Sequence, residues 1–246
     1  ARGIARLEKH VTHNKFHWKN ECNNPHKAIK QYLLIPGPTP IPPRVMQAMH
    51  RPMMAHRGSE FSAIVVEVSE GLKWAYQTKN EVYMIPGTGT AGMEAAVASF
   101  FSPGEKVIVL DCGAFGTRWT KIAKAYQLSV TDVVVPRGKA ATPDMLKDAF
   151  HRAGTGVKAV LFQHNETSTG VLNNVSVLAD IAKQNGAWTV VDAISGLLSA
   201  PLDVDALGLD IVIAGSQKAF MIPPGLAFVT ASNRAWEAYP TAKTRP

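Results

Sequence analysis

Residues 159–192 read AVLFQHNETSTGVLNNVSVLADIAKQNGAWTVVD. Ala159–Gln163 is an apolar run typical of a buried strand, and Trp188–Asp192 is a second run of this kind. Between them, Val175–Asn185 is predicted to form a helix that Gly186 ends, because glycine often closes a helix. A strand, a helix and a strand in this order form a βαβ unit, whose two strands lie parallel in one sheet.

The same alternation extends in both directions from this unit. Thr142-Pro143-Asp144 is a strong helix start, because a capping residue, a proline in the first turn and an acid follow one another. Apolar residues spaced three and four apart predict another helix at about 59–77. The remaining predicted helices are Met93–Phe101 and Phe115–Tyr126, and the remaining predicted strands are Val82–Ile85, Lys106–Leu110, Val130–Val135, Ile211–Ala214 and Leu226–Thr230.

These elements predict an α/β fold with a mainly parallel sheet covered by helices. The predicted strands are apolar on both faces, as a sheet covered on both sides requires. In such sheets, ligands bind beyond the carboxyl ends of the strands. A functional site is therefore expected in the loops that follow residues 85, 110, 163, 192 and 214.

The composition excludes several classes of protein. The 246 residues are 46% hydrophobic and 18% charged, which is ordinary for a folded protein and unlike a disordered, collagen-like or coiled-coil chain. No apolar stretch reaches the roughly 18 residues that a membrane span needs. The two cysteines, Cys22 and Cys112, form neither a disulfide framework nor a clustered metal site, so a reducing, cytoplasmic location is the default.

The basic charge is concentrated at the amino terminus. Residues 1–31 contain seven Lys or Arg against two Glu, a net charge of +5, which leaves +2 for the rest of the chain. No nucleic-acid partner is expected, because the remainder has little excess of basic residues. The role of this basic extension stays open, organellar targeting included. Residues 32–246 are the predicted folded domain, which opens with an extended segment that has five prolines within residues 36–43.

The loop after the first predicted strand is Gly87-Thr88-Gly89-Thr90-Ala91-Gly92, and it leads into a helix. Backbone N–H groups at a helix start bind phosphate, and glycine lets an anion approach closely. The loop also matches the dinucleotide-binding pattern, with Asp111 nineteen residues after Gly92 at the place of the ribose-binding acid. An NAD(P)-dependent oxidoreductase and a glycine turn without a ligand both stay open on this loop alone.

Three other strand ends carry polar groups. The loop 164–170 (HNETSTG) presents several hydrogen-bonding groups, although a purely structural role for His164 stays open. Asp192 follows four apolar residues, where a carboxylate is costly to bury without a cationic partner. Lys218 follows the strand Ile211–Ala214 in apolar surroundings, and burial lowers the pKa of a lysine and frees its neutral amine as a nucleophile. The alternative is an ordinary surface lysine.

Together these groups match the requirements of pyridoxal phosphate. A lysine forms a Schiff base with the cofactor aldehyde, a carboxylate keeps the pyridine nitrogen protonated, and a helix start holds the phosphate. The glycine loop, Asp192 and Lys218 are all predicted at the same edge of the sheet. An NAD site requires neither Asp192 nor Lys218, so the sequence favours pyridoxal phosphate as the cofactor.

The chain resembles the class V aminotransferases, in particular the alanine–glyoxylate and serine–glyoxylate group of the fold-type I pyridoxal-phosphate enzymes. The resemblance runs from about Leu33 to Lys243 and includes a bacterial branch sometimes labelled as the small subunit of a soluble hydrogenase. No cluster of cysteines is present that would hold iron for such a role. The markers are residues 35–39 (IPGPT), 56–61 (HRGSEF), 87–90 (GTGT), 164–170 (HNETSTG), 191–192 (VD), and 215–218 (GSQK) with 223–225 (PPG).

The resemblance implies a role for each matching residue. Lys218 forms the Schiff base and, once released, moves the substrate α-proton, while Asp192 pairs with the pyridinium nitrogen. Gly37 is expected near the substrate. The other expected cofactor contacts are Thr88, Gly89, Thr90 and Gln217 at the phosphate, Thr167 near the phenolic oxygen, and Phe115 stacked on the ring. Positions 115 and 90 depart from the family pattern, since several relatives have Trp at the first and some have His at the second.

The activity that the resemblance implies is transamination between an amino acid, alanine or serine, and a small 2-oxo acid, glyoxylate or pyruvate. A homodimer is also expected from the family. The resemblance identifies residues 32–246 as the large cofactor domain and implies that the small C-terminal domain, with its carboxylate-binding arginine, is missing from this sequence. The expectation is a truncated chain that binds the cofactor weakly, and a non-catalytic remnant stays open as an alternative.

Overall fold

A computed structural model describes residues 33–243 as an alternation of strands and helices. The strands are β1 (Val82–Pro86), β2 (Lys106–Asp111), β3 (Ser129–Val134), β4 (Val157–Gln163), β5 (Asn165–Glu166), β6 (Val171–Leu172), β7 (Trp188–Asp192), β8 (Ile211–Gly215) and β9 (Leu226–Ala231). The helices are α1 (Pro43–Met49), α2 (Ser59–Tyr76), α3 (Gly89–Phe100), α4 (Ala114–Ala125), α5 (Pro143–Ala153), α6 (Val175–Gln184) and α7 (Asn233–Ala238), and a 3₁₀ turn at Tyr239–Thr241 follows.

Seven of the strands form one sheet in the order β1-β9-β8-β7-β4-β2-β3. The pairs β2–β3, β2–β4, β4–β7 and β7–β8 are parallel, whereas β9 runs antiparallel to both β8 and β1. The predicted α/β fold with a mainly parallel sheet is therefore confirmed. The two short strands β5 and β6 form a separate hairpin within the loop that follows β4.

Alternating residues of the central strands pack into two apolar cores, one on each face of the sheet. On β2, Ile108 and Leu110 belong to the core covered by α5 and α6, whereas Val107 and Val109 belong to the core covered by α3 and α4. This follows from the period of two along a strand. The edge strand β1 departs from the expectation of two covered faces, since Tyr83 and Met84 are exposed.

The predicted strand bounds agree with the structure to within two residues, but one predicted helix start is wrong. The helix predicted from Met93 begins at Gly89, because the Thr88 side chain caps it by accepting a hydrogen bond from the Ala91 N–H at 3.4 Å. The proline segment predicted as extended over 36–43 ends in α1, whose first residue is Pro43. The sequence did not predict α1, α7 or the β5–β6 hairpin.

The parallel strands end at one edge of the sheet, called here the carboxyl-end edge, and the loops that leave them carry the predicted site residues. No helix within residues 33–243 is both long and apolar enough to cross a membrane. In the same range, no group of three or more His, Cys, Asp or Glu residues is placed to hold a metal ion. The basic extension at 1–31 lies outside the described residues, and its role stays open.

Candidate active site

Asp192 and Lys218 follow neighbouring parallel strands at the carboxyl-end edge. Asp192 is the last residue of β7 and is aligned with Ile213 of β8, which ends at Gly215. Lys218 lies in the turn that leaves β8. The structure therefore brings to one edge the two residues that the sequence predicted to act on the same cofactor.

Asp192 is a buried carboxyl group without a basic partner among the residues that the structure describes. The residue is 3% exposed, and its Oδ1 atom accepts a single hydrogen bond, from the Ile194 N–H at 2.9 Å. Among residues 33–243, no Lys, Arg or His forms an ion pair with it. Burial raises its pKa to about 7, against the lowering effects of the Ile194 N–H and the Lys218 charge. A bound group that offers a cationic N–H would satisfy this carboxyl group.

Lys218 is half-buried, and its amine faces the segment that precedes α1. Burial lowers the pKa of Lys218, and the nearby Asp192 charge opposes that effect. The Nζ atom donates a hydrogen bond of 3.3 Å to the carbonyl oxygen of Pro36. A lowered pKa increases the fraction of neutral amine at a given pH, which is the nucleophilic form.

Residues 36–39, called here the strap, hold the Lys218 turn through its backbone. The Thr39 N–H donates to the Gln217 carbonyl at 3.0 Å, and its hydroxyl donates to the Lys218 carbonyl at 2.9 Å, with the Gln217 carbonyl at 3.4 Å. Gly37 faces the lysine side chain directly, and a Cβ atom there would lie 2.5 Å from Lys218 Cδ. The sequence placed Gly37 near the substrate, and the structure places it against the predicted catalytic amine.

The glycine loop forms the amino-terminal turn of α3. Thr88 is its N-cap, and Gly89 packs so closely on the loop after β7 that a Cβ atom would lie 2.4 Å from Ile194 Cδ1. The first N–H groups of a twelve-residue helix are thereby brought beside the residues that follow Asp192. Such a turn has the donors and the positive end of a helix dipole that a phosphate group requires.

Thr90 and Phe115 are connected by Arg118, a residue that the sequence did not single out. The Nη1 atom of Arg118 donates a hydrogen bond of 2.7 Å to the Thr90 hydroxyl. Its Cζ atom lies 4.8 Å from the centre of the Phe115 ring. Phe115 lies in the first turn of α4 and is half-buried.

The buried side chain of Glu166 fixes the start of α4 and was also missed. Its Oε2 atom accepts hydrogen bonds from the backbone N–H groups of Phe115 and Gly116, both at 3.1 Å. Its Oε1 atom accepts from the Ser168 N–H at 3.1 Å and the Ser168 hydroxyl at 2.6 Å. Gly113 permits this approach, since a Cβ atom there would lie 2.7 Å from Glu166 Cδ. The sequence signal was an acid inside the 164–170 loop.

Thr167 belongs to a chain of hydrogen bonds between the loops that follow β4 and β7. Its hydroxyl lies 2.6 Å from that of Ser195, and the Ser195 hydroxyl lies 3.0 Å from Asn165 Oδ1. Ser195 is three residues after Asp192, so Thr167 faces the same edge. The sequence placed Thr167 at a cofactor oxygen, and the structure adds Ser195 as its partner.

Two buried polar atoms at this edge have no hydrogen-bond partner among the described residues, namely Gln217 Oε1 and His164 Nδ1. Gln217 directly precedes Lys218, and the His164 backbone N–H donates to the Asp192 carbonyl at 2.8 Å. Burial lowers the pKa of His164, which favours the neutral imidazole. Buried polar atoms are normally hydrogen-bonded, so this edge is built to receive a polar ligand.

Asp111, the ribose-binding acid of the dinucleotide hypothesis, accepts hydrogen bonds from residues that are close to it in the sequence. Its Oδ1 atom accepts from the Gly113 N–H at 3.1 Å, and its Oδ2 atom accepts from the Thr117 hydroxyl at 2.8 Å. The carboxylate therefore stabilises the turn that starts α4. The NAD(P) hypothesis gains no support from this arrangement.

Comparison with known proteins gives the family directly. The model of the aminotransferase class-V family matches residues 31–244, which is most of the chain. The chain belongs to this family. Its members depend on pyridoxal phosphate, so the predicted family, fold type and cofactor are confirmed at this level.

Three relatives of this chain illustrate the match. The soluble hydrogenase 42 kDa subunit of Anabaena cylindrica is 43% identical, over 87% of this chain and 56% of its own length. The L-aspartate–glyoxylate aminotransferase of Paracoccus denitrificans is 37% identical, over 86% of this chain and 54% of its own length. The crystal structure of the alanine–glyoxylate aminotransferase of Nostoc sp. superposes with a TM-score of 0.82 at 31% identity. This match covers 88% of this chain and 57% of the Nostoc chain. The chain thus spans about half the length of the curated relatives it matches.

The residues at the carboxyl-end edge fit pyridoxal phosphate. Asp192 offers a buried carboxyl group to the ring nitrogen, Lys218 offers an amine to the aldehyde, and the α3 turn offers N–H groups to the phosphate. Gln217 Oε1 and His164 Nδ1 are buried polar atoms without partners among the described residues. This fit rests on the donors and acceptors that the edge presents, whereas the role of each residue stays a prediction.

Proposed function

We propose that the protein catalyses pyridoxal-phosphate-dependent transamination between an amino acid and a small 2-oxo acid. One observation carries the proposal: a half-buried lysine and a buried, unpaired carboxyl group follow two adjacent parallel strands, beside the start of a helix. When bound, pyridoxal phosphate supplies an aldehyde for the amine and a ring that withdraws electrons from the substrate. Every other part of the chemistry is assigned to side chains of this chain.

Lys218 binds the cofactor and then moves the substrate α-proton. The lowered pKa of Lys218 increases the fraction of neutral amine at a given pH, and the neutral form is the one that acts as a nucleophile and as a base. The hydrogen bond to the Pro36 carbonyl orients the Nζ atom while the site is at rest. The strap also holds the Lys218 backbone through hydrogen bonds, so the side chain can move while the backbone stays in place.

Asp192 holds a proton on the cofactor ring nitrogen. Its carboxyl group accepts one hydrogen bond from the chain, so it retains acceptor capacity for a ligand N–H. A cation that binds beside it lowers its pKa and stabilises the carboxylate form. The pair keeps the ring electron-poor, which is the condition for removing the substrate α-proton.

The remaining site residues position the cofactor in this proposal. Thr88, Gly89 and Thr90 bind the phosphate with Gln217, and Thr167 donates near the phenolic oxygen with Ser195 behind it. Phe115 stacks on the ring, and Glu166 fixes the helix turn that carries Phe115. Gly37 leaves room for the Lys218 side chain and for the substrate.

The acceptor proposed is a small 2-oxo acid, glyoxylate first and pyruvate second. Two of the relatives, from Paracoccus denitrificans and Nostoc sp., carry glyoxylate in their names with aspartate and alanine as amino donors. Alanine and serine are the donors expected from the sequence, and the Paracoccus relative adds aspartate. All of these donors are small, so one site suits them in size.

A homodimer is proposed as the working form. Helix α1 contributes no buried residue to the described fold. Met46, Met49 and Met53 are exposed by 42%, 55% and 98%, and exposed apolar side chains in one segment mark an interface. A second copy of this chain is the proposed occupant, with sedimentation of the purified protein as the measurement.

The decisive experiment is reduction with borohydride in the presence of pyridoxal phosphate. We expect a yellow protein and a cofactor fixed on the peptide that contains Lys218, and we expect Lys218→Ala to lose that label. Lys121→Ala is the matched control, since Lys121 is an exposed lysine of α4. A label spread over surface lysines, or a colourless protein retained on a nicotinamide dinucleotide column, would overturn the proposal.

Catalysis is separated from binding by a single-turnover assay. We expect the visible absorbance of the yellow protein to be lost when alanine, serine or aspartate is added. Glyoxylate or pyruvate should then restore the colour. A protein that binds the cofactor but changes colour with no donor is a non-catalytic scaffold, which is the second candidate function.

A further inference from the structure

Arg118 lies beside the α3 turn and carries a charge that the described fold leaves unpaired. Among residues 33–243, no carboxylate forms an ion pair with it. Its guanidinium has five N–H donors, and the hydrogen bond to Thr90 is the one that it donates within those residues. Because Arg118 is half-buried, its charge is partly desolvated and gains from an anionic partner.

The hydroxyl of Thr90 also offers a hydrogen-bond donor to an anion at this place. A hydroxyl group has one proton and two lone pairs, and Arg118 donates to the oxygen. The Thr90 proton is therefore free to point at an acceptor near the start of α3. No acidic side chain stands in the first turn of that helix. A guanidinium, a hydroxyl proton and helix N–H groups in one place are suited to a phosphate dianion.

We propose that Arg118 is a further phosphate-binding residue, which acts with the α3 turn on the phosphate of the bound cofactor. The inference rests on the proposed binding of pyridoxal phosphate. It adds a phosphate-binding residue that lies outside the sequence motifs. Arginine binds phosphate with several parallel N–H donors, so it contributes geometry as well as charge. Thr90 orients the guanidinium toward the phosphate in this arrangement.

Independent support comes from the charges felt at Asp192. After burial, the Ile194 N–H and Glu166, Arg118 is among the groups that shift the Asp192 pKa, and its charge lowers it. The Arg118 charge is therefore close enough to Asp192 to act on its carboxyl group. The positive charge of Arg118 would stabilise an anion that binds between the α3 turn and Asp192.

The competing explanation is that Arg118 only supports the aromatic ring. Its Cζ atom lies 4.8 Å from the centre of the Phe115 ring, which is a cation–π distance. Such a role would affect every ligand that stacks on Phe115, with or without a phosphate. The two explanations differ in whether the effect of Arg118 depends on the phosphate group.

The test compares pyridoxal phosphate with pyridoxal, which has the same ring and aldehyde but no phosphate. Dissociation constants of both are measured by absorbance titration for the wild-type chain and for Arg118→Met. We expect Arg118→Met to weaken pyridoxal phosphate by about 10- to 100-fold and pyridoxal by less than about twofold. Equal weakening of the two ligands would overturn the proposal and favour support of Phe115.

Lys121→Met is the matched control, because it removes one positive charge from an exposed position of the same helix. The affinities for pyridoxal phosphate and for pyridoxal should both stay unchanged in this variant. If Lys121→Met lost as much affinity as Arg118→Met, the loss would be explained by long-range charge and not by a contact of Arg118. Wild-type protein that binds no pyridoxal phosphate would instead refute the proposed function itself. If the wild type binds pyridoxal phosphate and Arg118→Met binds it with the same affinity, the Arg118 inference alone is refuted.

A second measurement uses the unaltered chain and does not depend on the variant folding. Phenylglyoxal labels accessible arginines, and the labelling rate of the peptide with Arg118 is followed by mass spectrometry. Pyridoxal phosphate and inorganic phosphate should each slow this labelling at least about fivefold, whereas pyridoxal should not. Labelling that pyridoxal phosphate leaves unchanged would contradict a phosphate contact at Arg118.

Discussion

Two buried aspartates stand at opposite edges of the sheet, and the fold treats them differently. Asp192 ends β7, Asp210 precedes β8, and each residue is 3% exposed. Asp210 accepts from Arg234 Nη2 at 2.6 Å and Nε at 2.9 Å, and from the Thr189 N–H at 2.9 Å. Within residues 33–243, Asp192 accepts one hydrogen bond, from the Ile194 N–H.

The difference agrees with the proposal that Asp210 is a structural acid and that Asp192 is directed at a ligand. Burying a carboxylate is costly unless donors and a cation compensate for the lost water. The chain itself compensates Asp210, which ties β7, β8 and α7 together through Arg234 and Thr189. Asp192 stays uncompensated, and its raised pKa of about 7 reflects that deficit. A strongly shifted carboxyl group beside a lysine is typical of a functional site.

The largest expected effect is on turnover and comes from Asp192→Asn. An amide has no negative charge to hold a proton on the ring nitrogen, so we expect single-turnover rates with alanine to fall by about 10²- to 10³-fold. Binding of pyridoxal phosphate should persist, because the α3 turn and Lys218 are untouched. Stopped-flow absorbance measures the rate, and equal rates in wild type and variant would refute the role of Asp192.

The next effect is on the pH dependence of stability without cofactor. The folded pKa of Asp192 is raised to about 7, so between about pH 4 and pH 7 the folded state holds a proton that the unfolded state has lost. This contribution to stability is therefore present below about pH 4 and is lost as the pH rises through 7. Asp192→Asn should remove it, raising the free energy of unfolding at pH 8 relative to pH 4 by roughly 2–4 kcal/mol compared with wild type.

Urea unfolding at a series of pH values measures this difference. Asp180→Asn is the control, because Asp180 is an exposed carboxylate of α6 whose replacement should leave the shape of the curve unchanged. Parallel curves for wild type and Asp192→Asn would mean that the buried carboxyl group ionises normally. Asp192 would then no longer differ from Asp210 as an acid that is directed at a ligand.

The converse experiment removes the partner of the structural acid. Arg234→Met leaves Asp210 buried without its cation, and we expect the free energy of unfolding to fall by about 2–3 kcal/mol. This lies below the range for a fully buried pair, because the Arg234 side chain is 44% exposed. Pyridoxal phosphate affinity should not change, since the pair lies at the opposite edge. A variant as stable as wild type would remove the basis for calling Asp210 structural.

Much of this architecture follows from local sequence. The runs at 159–163 and 188–192 are apolar because both faces of central strands are covered, and the Thr142-Pro143-Asp144 start follows from capping alone. The placement of Asp192 and Lys218 at one edge followed from their positions after strands of a parallel sheet. The positions of the candidate site residues at strand ends were therefore predictable wherever the strand itself was.

Other features depend on contacts between distant segments. Glu166 and Arg118 act through bonds to Phe115 and Thr90, 51 and 28 residues away along the chain. No spacing rule connects these positions. The direction of β9, antiparallel to both of its neighbours, also follows from how the chain returns rather than from the apolar character of the strand. Short elements such as α1 have too few residues for a periodic signal.

The smallest expected effect concerns the strap over Lys218. Gly37→Ala places a Cβ atom 2.5 Å from Lys218 Cδ at a backbone φ of +153°, so the lysine side chain must move away from the Pro36 carbonyl. We expect the rate at which borohydride fixes the cofactor on Lys218 to fall by about 3- to 10-fold, equivalent to about 1 kcal/mol of strain. Gly138→Ala is the control, because Gly138 has a positive φ with no atom within 4 Å of the added Cβ. If both variants slow the reaction equally, general backbone strain explains the loss and the strap has no specific effect on the amine. If neither slows it, the strap does not restrain the Lys218 side chain.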